Sequence, residues 1–249
     1  MSAVADYFAV VIARLTDLEQ TQSAAIDATA SLGATAILDR RPIHLFDTGH
    51  LISHEFIDRT GGLAAYTALS FGATLARGNE WVAAKRGPVD PGGGRAAHLL
   101  VNWLFEQGTI QPGDPLILSS VSGTNALVVE LAQQARERGV SVVAVTGARF
   151  SGGLVSNHAS GKRLFELADI VLDNQAPYGD AALAIRDLDT RVAAWSGLAG
   201  AALMWAVTAR IIEMCVAAGT VPTIYTSVNL PGGGERYEAA RARYRASGQ

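Results

Sequence analysis

The chain has 249 residues, a formal net charge of −3, 49% hydrophobic residues and 17% charged residues. It is too apolar for a disordered segment and long enough for one large domain or two small ones. Its mild acidity, with no evident basic patch, argues against a general nucleic-acid binder. Cys215 is the single cysteine, so no intrachain disulfide forms and a reducing compartment, the cytoplasm, is expected. Glycine is abundant at 26 residues while aromatics are only 7%, which points to tight backbone turns rather than an aromatic-lined pocket.

The first forty residues read as helix. Tyr7, Val10, Val11, Leu15 and Leu18 recur at helical spacing, Ile26, Leu32 and Ile37 continue it, and Arg40-Arg41-Pro42 ends it. The N-terminus carries Asp6 and no basic stretch before an apolar run, so no secretory signal is expected. Ile43 to Phe46 reads as a strand entering the turn Asp47-Thr48-Gly49. A short helix is expected within 51–60, stopped by Gly61-Gly62, and a second strand within 63–69. Residues 72–95 contain GPVDPGGGR and read as a loop, followed by a helix over 96–106.

The middle of the chain is more regular. Pro115 to Ser119 is a buried strand, a Gly/Ser/Thr turn follows, and a helix runs from Ala126 to Arg138. Val140 to Thr146 and Ile170 to Leu172 are further strands. From Val192 to Ala209 the chain has 18 residues without a charge, close to the length that crosses a membrane. Its Ala and Gly content, with Ser196 and Thr208, favours a buried helix over roughly 194–218 that another helix approaches closely, so no membrane association is expected. A short charged helix closes the chain. Strands alternating with helices predict an α/β fold, a parallel sheet covered on both faces with right-handed crossovers. Ligands in such sheets bind at the carboxyl ends of the strands.

The strongest local constellation is Ser119-Ser120-Val121-Ser122-Gly123-Thr124-Asn125, which leaves a strand and opens a helix. Hydroxyls, a carboxamide and backbone N–H groups meet at a helix N-terminus, where the dipole favours an anion. Gly123 permits close backbone approach. The loop has no lysine, so it is no Walker-type P-loop, and a phosphate monoester fits it better. An ordinary Ser/Thr helix cap is the plainer alternative.

This loop, S-x-S-G-x-[TN] after a strand, resembles the phosphosugar-binding loop of the sugar isomerase (SIS) domain family. Phe46-Asp47-Thr48-Gly49-His50 resembles the F-G-T-G-H-S turn of one SIS subfamily. So do Glu55…Arg59-x-Gly61-Gly62-Leu63, Ser156-x-His158-x-Ser160-Gly161-Lys162-Arg163-Leu164 and Ala168-Asp169-x-Val171-x-Asp173-Asn174…Gly179-Asp180-Ala181. The likeness runs from about residue 5 to 245. Two positions depart from the pattern: Leu51 stands where the family turn has serine, and Asp47 adds a carboxylate.

The resemblance implies a doubly wound five-stranded parallel sheet of order 2-1-3-4-5, with helices at 1–41 packing onto a unit spanning 42–249, and a homodimer or homotetramer. It implies a phosphorylated sugar as ligand, with no cofactor. The family holds aldose–ketose isomerases, an etherase and sugar sensors, so fold alone does not choose a reaction. An isomerase working through an enediol is the expected activity; a phosphosugar lyase or etherase, or a non-catalytic sensor, is the alternative. Thr48, Gly49, Ser120, Ser122, Gly123, Thr124 and Asn125 are expected to hold the phosphate. Enediol chemistry needs a base and an acid. Glu55 is the expected base, with His158 or His50 opening the ring, and Asp47, Lys162 and Asp180 are candidate sugar contacts. Glu55 also stands four residues before Arg59, the spacing of a helical ion pair. Asp47-Thr48-Gly49 matches one half of an aspartic protease motif, in the wrong fold class. Neither Lys85 nor Lys162 follows a tyrosine by four residues, as a short-chain dehydrogenase requires. His50 and His54 share a helical face without a convincing third ligand, so no metal is expected.

Overall fold

The computed structural model describes residues 2–49, 52–70 and 93–249. The expected roles of His50 and Leu51, and most of the loop at 72–95, lie outside the described residues. Helix α1 (Ala3–Leu38) is a single 36-residue helix, opened by Ser2, whose hydroxyl accepts the Ala5 N–H. It ends just before Pro42, which cannot continue a helix. Strand β1 (Ile43–Asp47), helix α2 (Ile52–Phe56) and strand β2 (Tyr66–Ala68) follow. Helix α3 (Gly94–Glu106) leads to β3 (Pro115–Ser119), α4 (Ala126–Glu137) and β4 (Ser141–Thr146). Two short helices, α5 (Ala148–Gly152) and α6 (Leu164–Leu167), precede β5 (Ile170–Asp173). Strands β6 (Ala181–Leu183) and β7 (Val192–Ala194), helix α7 (Ser196–Ala217) and helix α8 (Gly233–Ser247) complete the described chain.

The main sheet has five strands in the order β2-β1-β3-β4-β5, the order that the family resemblance implies, and every pair is parallel, as the alternation of strands and helices predicts. The separate antiparallel pair β6–β7 is not foreseen, because its two three-residue strands are too short to show a period.

The sheet is dry on both faces. Side chains alternate along a strand, and the two faces fill two cores. Leu45, Ile117, Val143 and Val145 join Ile37, Leu203, Val207 and Ile211 on the α1/α7 side. Leu116, Leu118, Val142 and Ala144 join Val101, Val128, Leu131 and Ala135 on the α3/α4 side. This is why β3 and β4 read as unbroken apolar runs instead of alternating ones.

Helix α7 is long and apolar enough to cross a membrane by length and composition. Here Ala199, Leu203, Val207 and Ile211 are buried in the core it shares with α1, and Arg210 pairs with Asp27 of α1 at 2.8 Å. Gly33 of α1 is the point of closest approach, since a Cβ there would stand 2.5 Å from Ile211 Cδ1 and 3.2 Å from Ile43 Cδ1. Overpacking costs about 1–3 kcal/mol. Gly33→Val therefore lowers the free energy of unfolding by about that amount in urea titration, whereas Gly94→Ala, which meets no atom within 4 Å, leaves it unchanged or raises it by up to about 1 kcal/mol.

Candidate functional site

The carboxyl ends of β1, β3 and β4 converge, and the ladder runs one residue beyond the strands. The Thr48 N–H donates to the Ser119 carbonyl at 3.0 Å, Ser120 N–H to the Val145 carbonyl at 3.1 Å, and Asn174 N–H to the Thr146 carbonyl at 2.9 Å. The loops therefore leave the sheet from fixed points. Between them lies a cavity of about 190 Å³, lined by Asp47, Thr48, Gly49, Ser120, Asn174, Asp180 and Ser196 among others.

Ser119, Ser120 and Val121, the first residues of the 119–125 loop, form one wall. Gly123 takes φ +60, and a Cβ there would sit 3.0 Å from Ser151 Oγ and 3.2 Å from Leu164 Cβ, so glycine is required for both reasons. Asn125 caps α4, its side-chain oxygen accepting the Leu127 N–H at 2.9 Å. The Thr124 hydroxyl donates to Ser122 Oγ at 3.2 Å. Four successive backbone N–H groups, of Ser122, Gly123, Thr124 and Asn125, donate to no protein acceptor among the described residues. Unpaired N–H groups ahead of a 12-residue helix present hydrogen-bond donors and the positive end of a helix dipole, which favour an anion.

Helix α7 begins at this cavity, but its N-terminus is already occupied. Asp180 accepts the Ser196 N–H (2.8 Å) and the Trp195 N–H (3.3 Å) on one oxygen and the Ser196 hydroxyl (2.7 Å) on the other. The carboxylate neutralises that end of the helix dipole. It does so from a backbone with φ +65, a strained conformation for a non-glycine residue.

The expected site residues divide into groups. Thr48, Gly49, Ser120, Asp47 and Asp180 meet at the cavity. Asn125 lines a neighbouring hollow of about 330 Å³ on the other side of Asp47 and Thr48. Asp47 Oδ1 accepts the Gly49 N–H at 2.6 Å, so the extra carboxylate shapes the turn as well as lining the cavity. Glu55 does not line it. Its carboxylate pairs with Arg59 at 3.3 Å, the helical ion pair legible in the sequence, and accepts the Trp205 indole N–H at 3.4 Å. Gly61 and Gly62 bond to the backbone of Tyr225, away from the cavity. Lys162 is exposed, and its backbone N–H donates to Ser160 Oγ at 3.2 Å.

His158 lies on the ligand side of the sheet, in the segment after β4, yet faces a different cavity of about 770 Å³ beside α3 and α4. Its Nε2 meets Glu130 Oε2 at 2.5 Å and its Nδ1 meets Ser160 Oγ at 2.8 Å. Glu130 also binds His98 Nδ1 at 2.8 Å and the Gln134 amide at 2.6 Å. Sequence reading missed Glu130. The signal was there, a lone carboxylate inside the apolar helical run Leu127-Val128-Val129-Glu130-Leu131-Ala132. The pair anchors the 153–164 segment, which in turn braces the anion loop: Asn157 N–H donates to the Thr124 carbonyl and Leu164 N–H to the Gly123 carbonyl.

With this geometry in view the comparisons are informative. A SIS domain family model matches residues 6–147, more than half of the chain. The chain belongs to the SIS domain family. Within it the chain is similar to UPF0309 proteins. That of Brucella anthropi is 35% identical over 252 residues, covering 98% of each chain, and that of Shouchella clausii is 28% identical over 247 residues, again covering 98% of each. Among solved structures, a phosphoheptose isomerase from Francisella tularensis aligns with TM-score 0.47 at 15% identity, covering 86% of this chain and 100% of that one. Phosphoheptose isomerase GmhA from Neisseria gonorrhoeae aligns with TM-score 0.44 at 18% identity, covering 87% and 96%.

Burial pushes the Glu130 carboxyl up, but the hydrogen bonds from Gln134, His158 and His98 together outweigh it and hold the group below its ordinary value of 4.5. A lowered carboxylate stabilises the fold fully above pH 4.5 and loses that contribution as pH falls through the lowered value. Glu130→Gln is therefore expected to unfold at about 1–3 kcal/mol lower free energy at neutral pH. The gap to the parent protein narrows as the solution is acidified below pH 4.5, and chemical denaturation at several pH values measures it.

Proposed function

We propose that the chain binds a phosphorylated sugar with the phosphate on the 119–125 loop, and acts as an aldose–ketose isomerase through an enediol. The observation that carries this reading is the run of N–H groups, unpaired among the described residues, from Ser122 to Asn125 at the N-terminus of α4, which continues from Ser119, Ser120 and Val121 in the wall of the cavity. Membership of the SIS domain family supports it. Amides, hydroxyls and a helix dipole hold a phosphate without a lysine, so the protein's net charge of −3 is no obstacle.

Two carboxylates line the cavity next to this loop, Asp47 and Asp180, and Asp180 is already engaged at the start of α7. In this reading Asp47 takes the proton beside the carbonyl, and Glu55, bonded to Arg59 and Trp205, keeps α2 in place below the turn. His158 holds the brace behind the loop through Glu130. Asp180 orients Ser196 and the start of α7 at the sugar end of the cavity. The protein assembles as a homodimer in the same reading. Val4, Phe8 and Ile12 recur every four residues on α1 and are all more than half exposed, an apolar stripe that a second copy covers.

A thermal-shift screen against sugar phosphates selects the ligand, because binding raises apparent stability. Ser122→Ala is expected to abolish the shift; an unchanged shift removes the loop from the reading. With the selected ligand in deuterium oxide, NMR is expected to show deuterium entering at C2 together with ketose. Exchange with loss of a substituent indicates a lyase instead, and binding without exchange for any ligand indicates a sensor. Asp47→Asn is expected to slow exchange at least about 100-fold while the thermal shift persists. Slowing in Glu55→Gln, with Asp47→Asn active, assigns the base to Glu55.

A further inference from the structure

The 770 Å³ cavity beside α3 and α4 holds three reactive groups in series, and all three line it. Glu130 stands in the middle of α4. Its Oε2 meets His158 Nε2 at 2.5 Å, and the other ring nitrogen, Nδ1, meets Ser160 Oγ at 2.8 Å. The surrounding hydrogen bonds fix where the protons are. Glu130 is held below its ordinary carboxyl value, so near neutral pH it is ionised and only accepts. Its Oε1 takes the Gln134 amide at 2.6 Å and His98 Nδ1 at 2.8 Å, and its Oε2 takes the N–H of His158 Nε2. The Ser160 backbone N–H donates to His158 Nδ1 at 3.2 Å, so Nδ1 is the unprotonated nitrogen. The Ser160 hydroxyl therefore donates to Nδ1, while its oxygen accepts the Lys162 N–H at 3.2 Å, a contact that favours negative charge on Oγ.

A hydroxyl on an imidazole that is itself oriented by a carboxylate is the arrangement that activates a serine, and it is recognised by geometry and roles rather than by position in the chain. Exposure runs the right way along the series. Ser160 is exposed, whereas the side chains of His158 and Glu130 are only 8% and 6% exposed, so the hydroxyl faces solvent and the base and carboxylate stand shielded behind it. Bracing the 153–164 segment uses the bond between Glu130 and Nε2 and leaves Nδ1 facing the hydroxyl. Two further features of the cavity bear on a ligand. Arg95 lines it with no hydrogen-bond or ion-pair partner among the described residues, whereas Arg138 donates to the Gln134 carbonyl and to Asn102 Oδ1. A guanidinium without a partner is a ready donor to an oxygen that gains charge during attack. Leu99 and Ala159 are the only apolar side chains among the lining residues, which suits a short acyl chain and not a long one.

We infer that Ser160, His158 and Glu130 form a second centre, an acyl-transfer site that hydrolyses short-chain carboxylic esters. Ser160 Oγ attacks the ester carbonyl carbon while its proton passes to His158 Nδ1. The bond from that carbon to the alcohol oxygen breaks, and the alcohol leaves with the proton. Water then attacks the acyl group on Ser160 and gives a proton to Nδ1. The bond from the acyl carbon to Oγ breaks, Oγ regains the proton, and the acid departs. Glu130 stays ionised and stabilises the imidazolium in both halves. A fluorophosphonate probe, which phosphonylates an activated serine with loss of fluoride, tests the site when followed by peptide mass spectrometry. The adduct is expected on Ser160. In Glu130→Gln, kept below its unfolding transition, labelling of Ser160 is expected to slow at least about tenfold, which a serine that is merely exposed would not do. Release of p-nitrophenol from p-nitrophenyl acetate is expected to exceed the buffer rate and to fall at least about 100-fold in Ser160→Ala. Ser160 is exposed, so that variant folds. No adduct on Ser160, labelling at the parental rate in Glu130→Gln, no hydrolysis above the buffer rate, or hydrolysis that survives Ser160→Ala each overturns the inference. None of these results bears on the phosphosugar reading, because the two cavities share no lining residue.

Discussion

The parallel ladder across β1, β3, β4 and β5 is the constraint on which the site depends. Each strand hands its last hydrogen bond to a neighbour one residue past its end: Thr48 to Ser119, Ser120 to Val145, Asn174 to Thr146. Four loops are thereby launched from points that cannot drift relative to one another. The Asp47–Gly49 turn, the anion loop, the start of α5 and the Asn174 segment all inherit their positions from this register. A parallel sheet demands burial on both faces, so the two helical layers are a condition of the site as much as of the fold.

Two helices, α4 and α7, begin at the carboxyl end of the sheet, and the structure distinguishes their N-termini by charge. Asp180 places a carboxylate on α7 and satisfies its first N–H groups. Among the described residues no side chain or carbonyl does the same for the four N–H groups ahead of α4. An incoming anion gains the unspent hydrogen bonds and dipole of α4 and meets only repulsion at α7. A single aspartate therefore sets the difference in charge between the two helix ends. The same contrast applies to the arginines: Arg210 and Arg163 each have a carboxylate partner, while Arg14 and Arg149 have none among the described residues.

Much of the fold was legible in the sequence because its signals are local. Apolar runs in β3 and β4, the small-residue stretch of α7 and the Gly/Ser/Thr turn after Ser119 announce themselves over five to twenty residues. The hairpin β6–β7 escaped because three residues carry no period. Glu55 shows the limit at the site. Its place on a helix after the β1 turn is readable, and so is its spacing to Arg59, but only packing against Trp205 of α7 decides where the carboxylate goes. His158 shows it again. The residue is on the ligand side of the sheet, as its position after β4 requires, but Glu130 on the far side of α4 draws it to a different cavity.

The sequence by itself determined the class of fold, the strand-loop-helix after Ser119, and the family, because these depend on short-range periodicity and on residue types at adjacent positions. Only the tertiary structure decided which residues meet. It gave Asp47 to the cavity and the Glu55 carboxylate to Trp205, occupied the α7 terminus with Asp180, and brought Arg14 and Arg149 from elements far apart in sequence to one hollow. The reason is geometric. Hydrophobic burial chooses how helices lie on the sheet, and the polar side chains at the edges take whichever partners that packing leaves within hydrogen-bond reach.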